Sequence, residues 1–216
     1  MDVTHKKERT QPLPKKRERT RSALVEVAVR VIAERGFDAP TIDDFIAAAN
    51  IARGTFYNYF KTRDELINAA AAHVADMVDA EILPLFTGID DPAHRIAMAV
   101  RTFIELSIRN PEWGWLLVRT IPLRGGAVSD EMNRGVVYDL ECGQASGRFR
   151  LPSIPAALAL SLGTITMAIR TVVAEPTPED FPETIAAMIL RGLGMSVAEA
   201  KRVAAKSLPP NPLSLP

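Results

Sequence analysis

Apolar residues recur at helical spacing along almost the whole chain, and this period limits the fold more than any other feature. Leu24, Val27, Ala28 and Val31 fall at i, i+3, i+4 and i+7, which is one face of an amphipathic helix. Similar stripes follow over residues 66–78, 92–110 and 181–194, and residues 154–174 are apolar nearly all round. No segment sustains the alternation that is typical of a half-buried strand. The sequence therefore predicts an all-α protein.

The stretch from Thr41 to Phe60 predicts two short helices separated by a tight turn. Thr41 begins the first of them, with Asp44 three residues later as a variant of the capping box. That helix stops at Asn50, and the next one runs from about Ala52 to Phe60. A longer helix follows, with acids in its first turn. Two short helices joined in this way form a helix-turn-helix.

The second of these short helices concentrates aromatic residues between cations. At 100° per residue, Phe56 and Phe60 share the inward face, and the tyrosines lie toward the flanks and the surface. The outward-facing set consists of Arg53, Gly54, Thr55, Tyr57, Asn58, Tyr59, Lys61 and Arg63. Nearly all of these side chains can donate hydrogen bonds to phosphates or base edges. A solvated helix whose tyrosines close the edge of the core is the alternative, but the tight turn and the clustered cations favour a DNA-binding surface.

Charge is distributed unevenly, although the formal net charge is zero. Residues 1–72 carry 13 lysines and arginines against 10 acids, and residues 73–216 carry 13 against 16. Residues 1–19, with two prolines and the run KKRER, predict a disordered basic arm. A basic first part indicates a polyanionic partner for that part alone. The arm is expected to add affinity that does not depend on DNA sequence.

The chain has one cysteine, Cys142, which excludes an internal disulfide and is typical of a reducing compartment. We expect Cys142 to be a small buried hydrophobe. The N-terminus lacks the apolar core of a signal peptide, so a cytoplasmic location is expected. Residues 151–169 are uncharged over a length near that of a membrane span. Their prolines, serines and threonines favour a helix buried within or between subunits, and no membrane partner.

Residues 20–66 resemble the helix-turn-helix domain of the TetR family of transcriptional repressors. The family pattern runs roughly T…IA…AGVSKGTLYYHFPSKEEL, and this chain reads TIDDFIAAANIARGTFYNYFKTRDEL. The chain departs from the pattern at three positions. Asn50 replaces the usual turn glycine, Ala52 replaces a capping serine, and Ile46 replaces a small alanine where the two helices cross. Asparagine tolerates the left-handed region, and the missing cap costs roughly 1 kcal/mol.

The resemblance implies a role for each matched position. Positions that contact bases or the nearby backbone are matched by Arg53, Gly54, Tyr57 and Tyr59. Positions that hold phosphates are matched by Thr41, Thr55, Lys61 and Arg63. Asn58 belongs to the outward-facing set by helical projection alone. None of the three departures removes one of these contacts, although together they bear on the docking angle.

The same resemblance implies that residues 67–206 form a helical domain that dimerises and encloses a small-molecule pocket. The fourth helix joins this domain to the DNA-binding head, and residues 207–216 form an extended tail. The runs GQASGRFR and ILRGLGMS are similar to the looser C-terminal pattern of the family. Helices over about 154–174 and 181–194 are the expected homodimer surface, with ordinary intrachain core as the alternative.

Large side chains scattered over these helices are the candidate lining of the pocket: Phe103, Trp113, Trp115, Met132, Tyr138 and Met167. Each of them would also suit an ordinary core. Together they predict a small apolar or aromatic effector. Arg119 or Arg170 could meet an acidic group of such a molecule, or could equally form surface pairs.

The leading function is a homodimeric repressor that a small molecule releases from a palindromic double-stranded DNA operator. Two alternatives stay open: an activator or architectural DNA-binding protein without an effector, and a helical small-molecule-binding protein or enzyme with a degenerate DNA head. Catalytic residues are scarce, since His5, His73 and His94 are dispersed and have no companion at ligand spacing. We therefore expect no enzymatic activity, no cofactor and no metal site.

Overall fold

The computed structural model describes residues 14–124 and 131–208, and every regular element in these two ranges is helical. The all-α fold that the apolar period predicts is thereby confirmed. The helices are α1 (Pro14–Arg35), α2 (Ile42–Ala49), α3 (Arg53–Tyr57), α4 (Arg63–Ile82), α5 (Pro92–Arg109), α6 (Pro111–Arg124), α7 (Glu131–Ala145), α8 (Ile154–Ala174), α9 (Phe181–Gly192) and α10 (Val197–Ala204). One turn of 3₁₀ helix, Leu83–Phe86, follows α4.

The first helix is longer than the sequence predicts. Residues 14–19 belong to the predicted disordered arm, whereas α1 begins at Pro14 and includes them. Proline is favoured at the first position of a helix, because its missing N–H would have no intrahelical partner there. The lysines, arginines and glutamate after it are good helix formers. Residues 1–13 of the predicted arm and residues 209–216 of the predicted tail lie outside the described ranges.

A small head is formed by α1, α2, α3 and the start of α4. In the head α1 packs on α2 and α4, and α2 packs on α3. Its buried side chains belong to one apolar cluster that continues into the rest of the chain. The head therefore rests on the same core as the remaining helices, which we call the body.

The body consists of α5 to α10 and the later turns of α4, which packs against α6. Helix α8 is long and apolar enough to cross a membrane by length and composition. It packs instead against α5, α6, α7 and α9. A Cβ on Gly114 of α6 would lie 2.4 Å from Cγ1 of Val173 in α8, so the glycine allows these two helices to approach closely.

Ion pairs tie distant segments of the body together. The guanidinium of Arg148 donates through two nitrogens to the carboxylate of Asp91, at 3.0 Å each, and also contacts Glu199. Asp91 is the N-cap of α5, and its Oδ1 accepts from the N–H of Ala93 at 3.1 Å. Burial alone would raise the pKa of Asp91, but the bonds from Arg148 and Ala93 outweigh it and hold that pKa below its usual value.

Candidate nucleic-acid interface

The helix-turn-helix is built by local interactions that its own sequence supplies. Thr41 and Asp44 form the predicted capping box: the N–H of Thr41 donates to Oδ2 of Asp44 at 2.7 Å, and Oγ1 of Thr41 accepts from the N–H of Asp44 at 3.4 Å. Bonds from Thr41, and the guanidinium of Arg35 at 2.5 Å, lower the pKa of Asp44. Asn50 adopts φ 49° and ψ 50°, the left-handed conformation expected of the turn residue.

The recognition helix itself is shorter than the sequence predicts. It spans Arg53–Tyr57 instead of reaching Phe60. The N–H of Asn58 bonds to the carbonyl of Thr55, and the N–H of Tyr59 to that of Phe56, so the final turn has i to i+3 bonds. Ala52 is the N-cap and makes no side-chain bond, in agreement with the missing capping serine.

The aromatic residues divide between core and surface as the helical projection predicts. Phe56 and Phe60 are almost fully buried, and their ring centres lie 6.1 Å apart. Tyr57 packs its ring edge-on against Phe56 at 5.4 Å yet stays 45% exposed, and Tyr59 is half-buried. The phenylalanines thus hold the helix from beneath, and much of Tyr57 stays accessible.

Four predicted contact residues form one exposed surface: Arg53, Gly54, Tyr57 and Asn58. Thr55 lies beside them and is half-buried. One nitrogen of the Arg53 guanidinium lies 3.2 Å from a carboxylate oxygen of Asp43 in α2. Both side chains are more than 60% exposed, so this pair is weak and leaves Arg53 able to turn toward another partner.

No contact within the described chain requires a glycine at position 54. A Cβ built on it would have no heavy atom within 4 Å, apart from its own helix backbone and chain neighbours. Glycine costs up to about 1 kcal/mol in a helix relative to alanine. The residue is therefore exposed, unfavourable for the helix and unnecessary for packing, which is typical of a position kept clear for another molecule.

The four predicted phosphate-binding residues have different environments. The side chain of Lys61 is exposed, and Thr41 is exposed although its hydroxyl already donates to Asp44 at 2.7 Å. Arg63, in contrast, turns toward the head. Its guanidinium donates to the carbonyl oxygens of Phe37, Asp38 and Pro40, at 2.8, 3.3 and 2.7 Å. Arg63 thus joins the start of α4 to the loop before α2.

The candidate pocket residues differ in exposure, and two of them border different cavities. Phe103 and Trp113 are buried and Trp115 is half-buried, whereas Tyr138 and Met167 are each 60% exposed. Trp113 faces a cavity of about 730 Å³ between α1, α4 and α6. Met167 borders a separate groove of about 420 Å³ along α8. The side chain of Met132 lies outside the described part of the structure.

The remaining predicted body residues lie in different environments. Cys142 is half-buried instead of fully buried. Arg119 faces the head: it lies 3.7 Å from Asp64, and its guanidinium carbon lies 5.5 Å from the ring centre of Phe37. Arg170 is exposed. Among the described residues, no three histidine, cysteine or acidic side chains cluster as metal ligands.

Sequence reasoning missed a buried ion pair in the body. Nε of Arg95 lies 2.8 Å from Oδ1 of Asp139, and the side chain of Asp139 is only 8% exposed. Burial raises the pKa of Asp139, although the bond from Arg95 opposes that effect. The guanidinium of Arg95 also lies over the ring of Phe86, 5.1 Å from its centre. The two charged residues are 44 positions apart, so no local pattern could have connected them.

Two family models match the chain in adjacent segments. Residues 24–70 match the model described as bacterial regulatory proteins of the tetR family, and residues 91–206 match a tetracycline repressor-like C-terminal domain. The second match alone covers more than half of the chain. The helix-turn-helix head and the helical body described above correspond to these two segments.

Similar proteins of known structure or role agree with the family models. Crystal structures of RolR match with TM-scores of 0.80 in complex with resorcinol and 0.71 without ligand, at 30% and 28% identity. They cover 92% and 88% of this chain, and 100% and 98% of RolR. The repressor LfrR of Mycolicibacterium smegmatis is 41% identical over 68 residues, which is 31% of this chain and 34% of LfrR. The chain thus spans only about a third of the length of that relative.

Proposed function

The chain belongs to the TetR family of bacterial transcriptional regulators, and on that premise we propose that it is a homodimeric repressor which a small aromatic molecule releases from its operator. Regulation of transcription through DNA binding is common to the family. The repressor role, the palindromic operator, the effector and the cytoplasmic location are the proposal. The observation that carries it is the exposed surface of Arg53, Gly54, Tyr57 and Asn58 on a helix held by two buried phenylalanines.

This surface suits the major groove of DNA. A recognition helix contacts base edges with its N-terminal residues, and here those residues are Arg53 and Gly54. An arginine can donate two hydrogen bonds to a guanine, and a glycine allows the backbone to approach the bases. Lys61 at the other end of the segment is free to meet a phosphate. The similarity to LfrR, a repressor by name, supports the direction of regulation.

Dimerisation is proposed through α8 and α9. Three large apolar side chains on these helices are exposed in the single chain: Leu160, Met167 and Met188, at 41, 60 and 54%. The groove along α8 is also lined mostly by apolar and small residues. Packing two copies of this pair would make a four-helix interface and bury the exposed side chains. The two recognition helices would then reach successive turns of the major groove, about 34–36 Å apart.

The effector is proposed to be a small hydroxylated aromatic molecule. RolR, the similar protein of known structure, was crystallised with resorcinol. In this chain the pair of Asp139 and Arg95 supplies a buried acceptor and donor beside the ring of Phe86. A phenolic hydroxyl could donate to Asp139.

A signal from the body could reach the head by two structural connections. Helix α4 runs from the head into the body and packs against α6. In addition, Arg119 of α6 contacts Asp64 and the ring of Phe37, next to the loop whose carbonyls Arg63 binds. An effector lowers DNA affinity only if it binds the conformation with the wrong head spacing more tightly than the DNA-bound one.

The DNA-binding proposal is tested by fluorescence anisotropy with duplex DNA from immediately upstream of the gene. The double variant Arg53→Ala, Tyr57→Phe should bind at least about tenfold more weakly, since one lost base contact costs about 1–3 kcal/mol. Arg109→Ala with Tyr138→Phe is the matched control, because both of those side chains are exposed in the body and lie outside α8 and α9. Equal affinities for the two variants would contradict the assigned surface.

Resorcinol is the first probe for the effector. Its addition should release the wild-type protein from the duplex, and Asp139→Asn should keep DNA affinity while losing the release. Release that is equal in both proteins would exclude Asp139 as the acceptor. No release of the wild type by resorcinol or by other dihydroxybenzenes would contradict the effector class.

A further inference from the structure

The first two turns of α1 extend beyond the compact head and carry most of its cations. The first buried residue of α1 is Leu24, and residues 15–19 are all exposed. This extension, residues 14–21, contains five cations and one acid, Glu18. The cations are Lys15, Lys16, Arg17, Arg19 and Arg21. Within the described residues, none of the five forms an ion pair.

The extension leaves the head next to the recognition surface. The guanidinium carbon of Arg21 lies 5.1 Å from the ring centre of Phe60. Phe60 follows the recognition helix by three positions and directly precedes the exposed Lys61. The cations of the extension are therefore continuous with the proposed DNA interface and do not form a separate patch.

Two of the arginines lie on the face of α1 that packs on the head. At 100° per residue, Arg17 and Arg21 fall within about 60° of the buried residues Leu24 and Ala28, at i, i+4, i+7 and i+11. Lys15 and Arg19 lie roughly opposite. Toward the N-terminus of α1, the apolar stripe is thus followed by a basic stripe. It consists of Arg21, which lies beside the ring of Phe60, and Arg17, one turn further from the head.

We propose that the Arg17–Arg21 face of this extension is a second DNA-binding element, which contacts backbone phosphates beside the bases that α3 reads. The inference rests on the proposed DNA binding and adds to it a contact that is independent of sequence. Duplex DNA is the partner because the stripe adjoins the recognition surface and carries unpaired guanidinium groups that match phosphates. A stripe already ordered in a helix also loses less conformational entropy on binding than a flexible arm does.

The salt dependence of binding measures such contacts directly. For double-stranded DNA the slope of log K against log salt is about −0.9 for each phosphate contact. The variant Arg17→Gln, Arg21→Gln should therefore make the slope shallower by about 1.8, and weaken binding by up to about 60-fold at 0.1 M salt. Because phosphates carry no sequence information, the loss should be equal on upstream DNA and on a mixed-sequence duplex of about 40 base pairs.

The chain offers a matched control on the opposite face of the same two turns. Lys15→Gln, Arg19→Gln removes the same charge from the same element, and it should change the slope by less than half as much. Arg17→Lys, Arg21→Lys keeps the charge and should restore the slope. The single variant Arg17→Gln should make it shallower by about 0.9, and it removes no contact that the described structure shows. Thermal unfolding and circular dichroism on each protein report whether α1 is intact.

Three results would overturn the proposal. Equal slopes for the two double glutamine variants would show a general electrostatic effect without a binding face. A wild-type slope in Arg17→Gln, Arg21→Gln would exclude the contact. Failure of the lysine variant to restore the slope, with α1 intact, would assign the effect to packing of Arg21 on Phe60. If the wild-type protein showed no preference for upstream DNA, the proposed function would be wrong. The salt slopes on mixed-sequence DNA test the extension separately, because they do not depend on that preference.

Discussion

Gly54→Ala should make the protein more stable and its DNA complex weaker. A Cβ at this position meets no heavy atom within 4 Å, so the methyl group causes no clash in the described chain. Gly54 is the second residue of α3, where alanine favours the helix by roughly 0.5–1 kcal/mol. For a chain of this size that gain raises the melting temperature by about 1–4 °C. The same methyl group would occupy the surface that faces DNA.

On DNA the expected loss is about 1–3 kcal/mol, the usual cost of one lost base contact, or roughly five- to 150-fold in Kd. Differential scanning fluorimetry gives the first quantity and anisotropy with upstream DNA gives the second. Gly135→Ala is the matched control, because Gly135 is a helical residue of α7 whose Cβ would also meet nothing within 4 Å. It should raise stability similarly and leave DNA affinity unchanged.

The two measurements separate two possible errors in this reasoning. If Gly54→Ala is more stable and binds DNA with unchanged affinity, no part of the DNA approaches this backbone and the docking surface is wrong. If the variant is less stable than wild type, the position is not open in solution and the helix geometry is wrong.

Three further variants test contacts elsewhere in the chain. Arg63→Gln should lower the free energy of unfolding by about 2–3 kcal/mol in urea titrations, because three loop carbonyls lose their donor, whereas Lys61→Gln should change it by less than about 0.5 kcal/mol. Met167→Glu places a charge on the exposed face of α8 and should give a monomer by light scattering, while Ile108→Glu, at an exposed position of α5, should stay dimeric. The pKa of Asp91 is lower in the folded protein than in the unfolded chain, where it is near 3.8. The ionised Asp91 therefore contributes its full stabilisation above pH 3.8, and this contribution disappears as the pH falls through the folded pKa. Asp91→Asn should therefore be less stable than wild type at neutral pH, and the difference should shrink as the pH falls below 3.8 in urea titrations.

Features that depend on neighbours in sequence could be predicted from the sequence. The capping box of Thr41 and Asp44 and the left-handed turn at Asn50 each involve residues within a few positions of one another. The inward position of Phe56 and Phe60 follows from helical period alone. The whole all-α architecture rests on the same kind of information, since apolar period is repeated from one helix to the next.

Features that depend on distant residues could not be predicted. Arg63 binds carbonyls 23 to 26 positions earlier, and Arg95 pairs with Asp139 across 44 positions. The candidate pocket residues were selected by size and type, and these properties do not predict how far apart Trp113 and Met167 lie in the fold. Near the recognition helix, helical period alone does not specify the i to i+3 bonds with which α3 ends early.

Lys61 and Arg63 show why composition alone does not separate DNA contacts from structural contacts. The two cations are two positions apart, and the family pattern gives both a phosphate. Lys61 lies in the turn before α4 and is exposed, whereas Arg63 is the first residue of α4 and is half-buried. Arg63 contacts the loop before α2, and its planar guanidinium, which has five N–H donors, bonds to three carbonyls of that loop. Its charge can still attract a phosphate at a distance, but Nε and one terminal nitrogen already bond to the loop that leads to Thr41, the N-cap of α2. Arg63 thereby fixes where α2 begins, and with it the angle at which α3 is presented.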